Sequence, residues 1–252
     1  MGALKPWPYP RLIAHRGGGH LAPENTLAAV RVGHALGFRM IEVDAKLSAD
    51  GVAILLHDAT LDRTTDGEGP ARALTWAQLQ QCDAGSWHSD PFAREPIPSL
   101  EALAELCLAE GIAVNIEIKP SPGADEATGE AVGRLAATYW RGAAVPPLLS
   151  SFSRAALVAA RAVVPALPRA LIAESPTDRD LAFLDDVDAV SLHSGWRSAT
   201  PELLERIHGE GRRLLVWTVN DPPAAQALFD AGVDGVITDN LRQFARRLHD
   251  CL

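Results

Sequence analysis

Cysteine is scarce in this 252-residue chain: Cys82, Cys107 and Cys251 stand far apart and form no C-x-x-C pair. That excludes a disulfide framework. The three read as small core or surface thiols of a reducing compartment rather than as nucleophiles. Positive charge is in the minority, with 23 Lys and Arg against 32 Asp and Glu and a net charge of −9. Such a protein lacks the basic face that nucleic acid or an anionic membrane surface requires. No run reaches the roughly 18 apolar residues of a membrane span. The opening MGALKPWPYP has no apolar signal region, and Pro6 stands where a myristoylation motif needs Ser or Thr. The expected setting is the cytoplasm. Gly (20) and Pro (18) are too few for a low-complexity chain. What remains is ordinary globular composition, 47% hydrophobic and 22% charged, long enough to bury a large core.

Two periods alternate along the chain. Short β-rich runs are followed by amphipathic runs of about ten to fifteen residues. Strands are expected at 11–15, 40–45, 113–119, 147–151, 169–174, 188–193, 213–220 and 235–239. Helices are expected at 25–36, 99–110, 125–140, 154–163, 178–184, 201–210, 223–231 and 241–249. Asn25 or Thr26 is positioned to cap the first helix; Ser99 and Gly111 bracket the second. Eight strand–helix units at this length fit a (β/α)₈ TIM-type barrel of one catalytic domain, 1–252. A doubly wound open sheet is the alternative, but G-x-G-x-x-G and P-loop signatures are missing. Residues 49–98 are turn-rich, with one strand-like run at 52–57 and a short helix near 76–81, and read as an insertion after the second strand.

In such a barrel chemistry sits at the C-terminal strand ends. The strand IEVD puts Glu42 and Asp44 on one face, with Ile41 and Val43 opposite. NIEIK repeats this, with Asn115, Glu117 and Lys119 sharing a face. Three carboxylates lining one mouth would repel and take up protons; a divalent cation removes that cost. All-oxygen ligation favours Mg²⁺, Ca²⁺ or Mn²⁺ ahead of Zn²⁺. The competing account is two unrelated strands, each with its carboxylates satisfied. Arg16 and Lys119 beside such a metal suit a phosphoryl group, although Lys119 is also placed for a simple ion pair. His15 and His57 each end an apolar run and titrate in the range that phosphodiester cleavage needs of its base and its acid. His193 also ends a strand and is assigned a minor site role; the remaining histidines read as surface or structural. Trp217 either walls the pocket or packs in the core.

These residues lie in segments that resemble the glycerophosphodiester phosphodiesterases. IAHRGGGHLAPENT (13–26) is similar to the family's H-R-G…P-E-N-T segment, here with a longer glycine run and His20. Residues 40–69, MIEVDAKLSADGVAILLHDATLDRTTDGEG, resemble its E-x-D…H-D-x-x-L-x-R-T-T-x-G-x-G stretch. DAGSW, IPSLEAL, IEIK, SSF, VWTVND and GVITDN follow in family order, so the likeness spans about 11–247. The resemblance implies a TIM barrel with an insertion after the second strand. It implies hydrolysis of glycerophosphodiesters, such as glycerophosphocholine or glycerophosphoethanolamine, to glycerol 3-phosphate and an alcohol. It implies one divalent cation on Glu42, Asp44 and Glu117, acid/base work by His15 and His57, and phosphate contacts from Arg16 and Lys119. Trp217 would flank the substrate, and Glu24 and Asn25 would support the first loop. A homo-oligomer fits the sequence equally well as a monomer. The runner-up is a phospholipase D-like enzyme for lysophospholipids, with Trp87, Phe92 and Trp196 as apolar rim. A barrel that binds phosphorylated ligands without catalysis is the rival of another class.

Overall fold

The computed structural model describes the backbone of residues 7–250 and side chains up to 246. Cys251 lies outside the described residues, and so does the side chain of His249. Eight parallel strands carry the architecture: β1 (Leu12–Ala14), β2 (Met40–Leu47), β4 (Ala113–Ile118), β5 (Leu148–Ser151), β6 (Arg169–Ala173), β7 (Ser191–Gly195), β8 (Arg213–Trp217) and β9 (Gly235–Thr238). β1 pairs with β9 on one side and with β2 on the other, so the sheet closes. Closure excludes the open doubly wound sheet and makes the fold a TIM barrel.

Helices α1 (Leu27–Ala35), α3 (Leu100–Glu110), α4 (Asp125–Tyr139), α5 (Arg154–Val163), α6 (Asp178–Asp186), α7 (Pro201–Gly209), α8 (Pro222–Asp230) and α9 (Leu241–Asp250) follow the barrel strands in turn. Their starts are chemically marked. The side chains of Thr26, Ser99, Ser153, Thr177, Thr200 and Asp221 each accept from a backbone N–H of the first turn. Such a cap contributes about 1 kcal/mol. Thr26, not Asn25, caps α1, because the Asn25 amide is engaged elsewhere. At the end of α3, Gly111 turns with φ 63°, the left-handed conformation that glycine reaches without a Cβ clash. No helix among the described residues is long and apolar enough to cross a membrane.

The two-residue alternation along each strand divides the apolar residues into two layers. Ile41, Val43, Val114 and Ile116 face outward and pack with Leu103 and Val132 of the helices. Inside, Ile13, Met40, Leu148, Ala170, Leu215 and Ile237 fill the barrel with Tyr9. The inward face of β2 therefore starts with Met40 and continues with Glu42, Asp44 and Lys46, apolar at the bottom and charged at the top. β4 lies beside it in register, with Glu42 opposite Asn115 and Asp44 opposite Glu117.

Between β2 and α3 runs the expected insertion. Its strand β3 (Ala53–Leu55) pairs antiparallel with the upper end of β2, and the short helix α2 (Trp76–Leu79) follows. Ile54, Leu61, Ala71, Leu79, Ala84 and Ile97 form its own small core. Asp83 organises the outer turn by accepting from the Gly85, Ser86 and Arg94 backbone N–H groups. The chain thereby returns to α3 with His57 set over the barrel mouth.

Candidate active site

A cavity of about 300 Å³ opens at the C-terminal end of the barrel. All eight residues assigned from sequence to protons, metal or substrate line it: His15, Arg16, Glu42, Asp44, His57, Glu117, Lys119 and Trp217. Glu24 and Asn25 do not line it but hold residues that do. A larger cavity of about 610 Å³, at the opposite end among Trp7, Tyr9 and Val190, lies away from these groups.

The first loop is folded tightly over β9. A Cβ at Gly19 would strike the Asp239 carbonyl, and Gly19 has φ +54°. Only glycine allows that approach, and His20 N–H then donates to the same carbonyl at 3.0 Å. Two non-glycine residues, Arg16 (φ 49°) and Asn25 (φ 58°), also adopt left-handed backbone. Both positions are secured. The Arg16 backbone N–H donates to Glu42 Oε2 at 3.0 Å. Asn25 donates Nδ2–H to Asp44 Oδ2 at 2.8 Å and accepts the Asp44 backbone N–H at 2.9 Å. Strained backbone so anchored gathers at sites where geometry matters more than local ease.

One oxygen from each of Glu42, Asp44 and Glu117 lies within 4.8 Å of the others, and all three residues are buried. Burial and the Asp44 charge push the Glu42 and Glu117 carboxyls above the usual range. Burial pushes Asp44 the same way, but Lys119 and Arg16 overcome it and hold it low. Lys119 Nζ lies 2.7 Å from Glu117 Oε1 and 3.5 Å from Asp44 Oδ1. So Lys119 does form the ion pair, while still lining the cavity. The donor set is all oxygen, which fits a hard divalent cation.

The histidines stand on separate walls. His15 Nδ1 lies 2.6 Å from Asp239 Oδ1, leaving Nε2 3.8 Å from Glu42 Oε2. Burial opposes the His15 imidazolium, but the Asp239 hydrogen bond and the Glu42 charge outweigh it, so His15 is raised. His57 Nδ1 lies 2.6 Å from Asp58 Oδ1. There burial prevails over Asp44 and Asp58, and His57 is lowered. Lys46 supports this wall by donating Nζ–H to the carbonyls of His57, at 2.9 Å, and of Asp58. His193 lies deeper, fully buried and pushed down by burial to about 3, with Nε2 3.2 Å from Ser191 Oγ. It lines the cavity as a neutral side chain.

Several partners escaped sequence reasoning. Asp58, Asp239 and Lys46 were within sight: Asp58 follows His57, Asp239 ends a strand, and Lys46 continues the Glu42–Asp44 alternation. Phe152, in SSF, meets Trp217 edge-on with ring centroids 5.7 Å apart. Trp217 satisfies both of its readings, since it packs on the inner barrel cluster and lines the cavity. Cys107 is buried and its thiol is pushed up to about 12, which removes it as a nucleophile.

The site thus sets an acidic all-oxygen cluster, two basic side chains and two histidines side by side around one cavity. A model of the glycerophosphoryl diester phosphodiesterase family matches residues 15–243. The chain belongs to this family. A glycerophosphodiester phosphodiesterase of Caldanaerobacter subterraneus subsp. tengcongensis is 34% identical over 233 residues, covering 91% of this chain and 93% of that protein. A putative glycerophosphodiester phosphodiesterase of Bacillus subtilis is 31% identical, covering 90% and 93%. The solved structure of an Oleispira antarctica phosphodiesterase, in complex with its product sn-glycerol-3-phosphate, superposes with a TM-score of 0.90 at 33% identity, covering 96% and 97%. Membership in the glycerophosphoryl diester phosphodiesterase family makes the chain a phosphoric diester hydrolase.

Proposed function

We propose that this chain hydrolyses small glycerophosphodiesters, such as glycerophosphocholine and glycerophosphoethanolamine, to glycerol 3-phosphate and the free alcohol. The observation that carries the reading is the joint placement of two carboxylate-paired histidines and three buried carboxylates around one cavity. Glu42, Asp44 and Glu117 would hold one divalent cation, Mg²⁺ or Ca²⁺ with Mn²⁺ also suited; when bound it supplies positive charge to phosphate oxygens and lowers the pKa of a bound hydroxyl or water. Arg16 Nε makes no hydrogen bond among the described residues and lies 3.6 Å from Asp44 Oδ2. Arg16 and Lys119, both lining the cavity, would hold the phosphate as negative charge grows in the transition state. One histidine takes the proton of the attacking group and the other protonates the departing alkoxide; that group is water, or a glycerol hydroxyl whose cyclic phosphate water then opens to glycerol 3-phosphate. The surroundings raise His15 and lower His57, which suits His15 to the acid and His57 to the base. Trp217 and Phe152 form the aromatic wall beside the organic part of the substrate.

The cavity lies at the small end of the about 300 to 1,000 Å³ usual for ligand pockets, which suits a small water-soluble diester; a second cavity of about 300 Å³ adjoins it at His15 and Arg16 and reaches Trp87. Trp87, 41% exposed in the insertion, is the feature that would serve a lipid substrate instead. The test is glycerol 3-phosphate release from glycerophosphocholine, with and without EDTA, beside the same assay on lysophosphatidylcholine. Cation-dependent release from glycerophosphocholine supports the proposal. Turnover of lysophosphatidylcholine alone would replace the substrate class, and release undiminished by EDTA would remove the metal. Binding of glycerol 3-phosphate without turnover of either diester would favour the non-catalytic barrel.

A further inference from the structure

The L-x-R-T-T segment of the insertion is not explained by the cavity, because Arg63 does not line it. Its guanidinium is nevertheless committed at every edge. Nε donates to Asp58 Oδ2 at 2.6 Å and Nη2 to Asp58 Oδ1 at 3.1 Å. Nη1 donates to Glu24 Oε2 at 2.8 Å and Nη2 to Glu24 Oε1 at 2.8 Å. Each carboxylate is also bound to a cavity residue. Asp58 Oδ1 is 2.6 Å from His57 Nδ1, and Glu24 Oε1 accepts Arg16 Nη1–H at 2.7 Å. The result is one chain of contacts, His57–Asp58–Arg63–Glu24–Arg16. It joins the insertion to the first loop and ends on two groups of opposite task.

We propose that Arg63 is a positioning residue, whose single guanidinium sets the orientation of His57 and Arg16 together. The inference rests on the proposed roles of those two residues. Three physical points carry it. The planar fork binds both carboxylates in bidentate fashion, which fixes their planes as well as their distances; a lysine ammonium has no such geometry. Arg63 is 45% exposed, and exposed ion pairs contribute little to stability, so the network's effect is chiefly one of geometry. Asp58, bound to Arg63 on both oxygens, is a compensated partner for His57: it orients the ring through Nδ1 while contributing little net negative charge. Asp239, the partner of His15, meets no arginine among the described residues; its other oxygen accepts from the Asn220 amide at 3.3 Å and lies 3.8 Å from His20 Nε2. The two histidines thus sit in matching hydrogen-bond geometry with unlike charge balance.

The experiment compares wild type with Arg63→Gln, Arg63→Lys, Asp58→Asn and the double variant Arg63→Gln/Asp58→Asn. The readouts are glycerol 3-phosphate release from glycerophosphocholine and the melting temperature of each protein. Arg63→Gln is expected to lower kcat/KM by about 10- to 100-fold, the range seen when outer-shell partners are lost, while the melting temperature stays within a few degrees. The double variant is expected to be no worse than the poorer single variant by more than about threefold, because both changes cut the same chain. Arg63→Lys keeps the charge but not the fork and should fall between wild type and Arg63→Gln.

The pH profile separates positioning from general damage. The charged groups facing His57 are Asp44, Asp58, Arg16 and Lys119, with the Lys46 ammonium on its backbone carbonyl. Freeing Asp58 of its cation stabilises the His57 imidazolium, so the acidic limb of kcat/KM moves to higher pH in Arg63→Gln. A merely structural loss lowers the whole profile without moving it. Wild-type kcat/KM in Arg63→Gln, an unmoved limb, or fully multiplying effects in the double variant would each overturn the inference. If wild type leaves glycerophosphocholine intact, the substrate reading fails, and the same variants are compared on bis(p-nitrophenyl) phosphate.

Discussion

His15 Nδ1 and Asp239 Oδ1 are 2.6 Å apart although 224 residues separate them in sequence. The contact exists because β1 and β9 are neighbours in the closed barrel, with Ala14 beside Thr238. One residue beyond that pair each chain leaves the sheet, and the two side chains meet. Asn220 fixes the far partner by accepting the Asp239 backbone N–H at 2.8 Å. Barrel closure thus orients an imidazole.

Asp239→Asn is expected to lower kcat on the order of 10²-fold, at the lower edge of the 10²–10⁴-fold loss expected for His15→Ala or His57→Ala. The direction with pH follows from charge. Asp239 raises His15 through a hydrogen bond, so its neutral replacement lets His15 lose its proton at lower pH. The alkaline limb of the kcat profile should move down. Full activity with an unmoved limb would free His15 of the acid role.

Glu42 and Glu117 make the cation-free protein sensitive to pH. Their folded-state carboxyls are raised by burial and by Asp44, whereas in the unfolded chain they titrate near about 4.3. Above that value the folded state keeps protons that the unfolded state has released. Stability is therefore highest at mildly acidic pH and falls as pH rises toward neutrality. With EDTA, the melting temperature should be lower at pH 8 than at pH 5.5. Added Mg²⁺ or Ca²⁺ should restore more at pH 8, about 2.7 kcal/mol at a hundredfold excess over Kd. Glu117→Gln should flatten the EDTA curve. A melting temperature indifferent to pH and to cations would dismiss the cation site.

The barrel and most of its mouth were legible because the signals were local. Alternation along IEVD and NIEIK places acids on one face, and the register between β2 and β4 then brings them together. What was hidden depends on contacts across the chain. Nothing in 63 or 239 announces a partner at 24 or 15, since a surface arginine and a strand-end aspartate have the same local appearance whatever they meet. Phe152 is likewise an ordinary aromatic until β5 and β8 deliver it to Trp217. Strand limits shifted by a few residues where loops begin, as at β7, expected at 188–193 and found at Ser191–Gly195.

The Phe152–Trp217 pair invites a binding test. Phe152 is 47% exposed, so its removal leaves little cavity in the core. Edge-to-face pairs contribute about 0.5–1.5 kcal/mol. Phe152→Ala should raise KM for glycerophosphocholine by roughly two- to tenfold with kcat nearly unchanged, the pattern of an interaction made equally in ground and transition states. A fall in kcat alone would place Phe152 closer to the chemistry than to binding.

Arg169 offers a test of fold without a test of site. It opens β6 at the end of the barrel away from the active site and is 2% exposed. Its guanidinium donates to the carbonyls of Val187 at 2.7 Å, Val164 at 3.2 Å and Leu167 at 2.5 Å. Val164, the residue after α5, also accepts the Leu167 backbone N–H at 3.1 Å, so the carbonyl that depends on Arg169 in the interior is that of Val187. Arg169→Met fills much of the volume but donates nothing. A carbonyl left buried without a donor costs about 1–3 kcal/mol, so the loss at Val187 should be of that size. At about 2–4 °C per kcal/mol for a chain of this size, thermal unfolding should fall by roughly 2–12 °C. Because the proposed catalytic groups lie at the other end of the barrel, kcat/KM at low temperature should stay near the wild-type value. A melting temperature within 2 °C of wild type would mean that water reaches that carbonyl and that Arg169 is not its necessary donor.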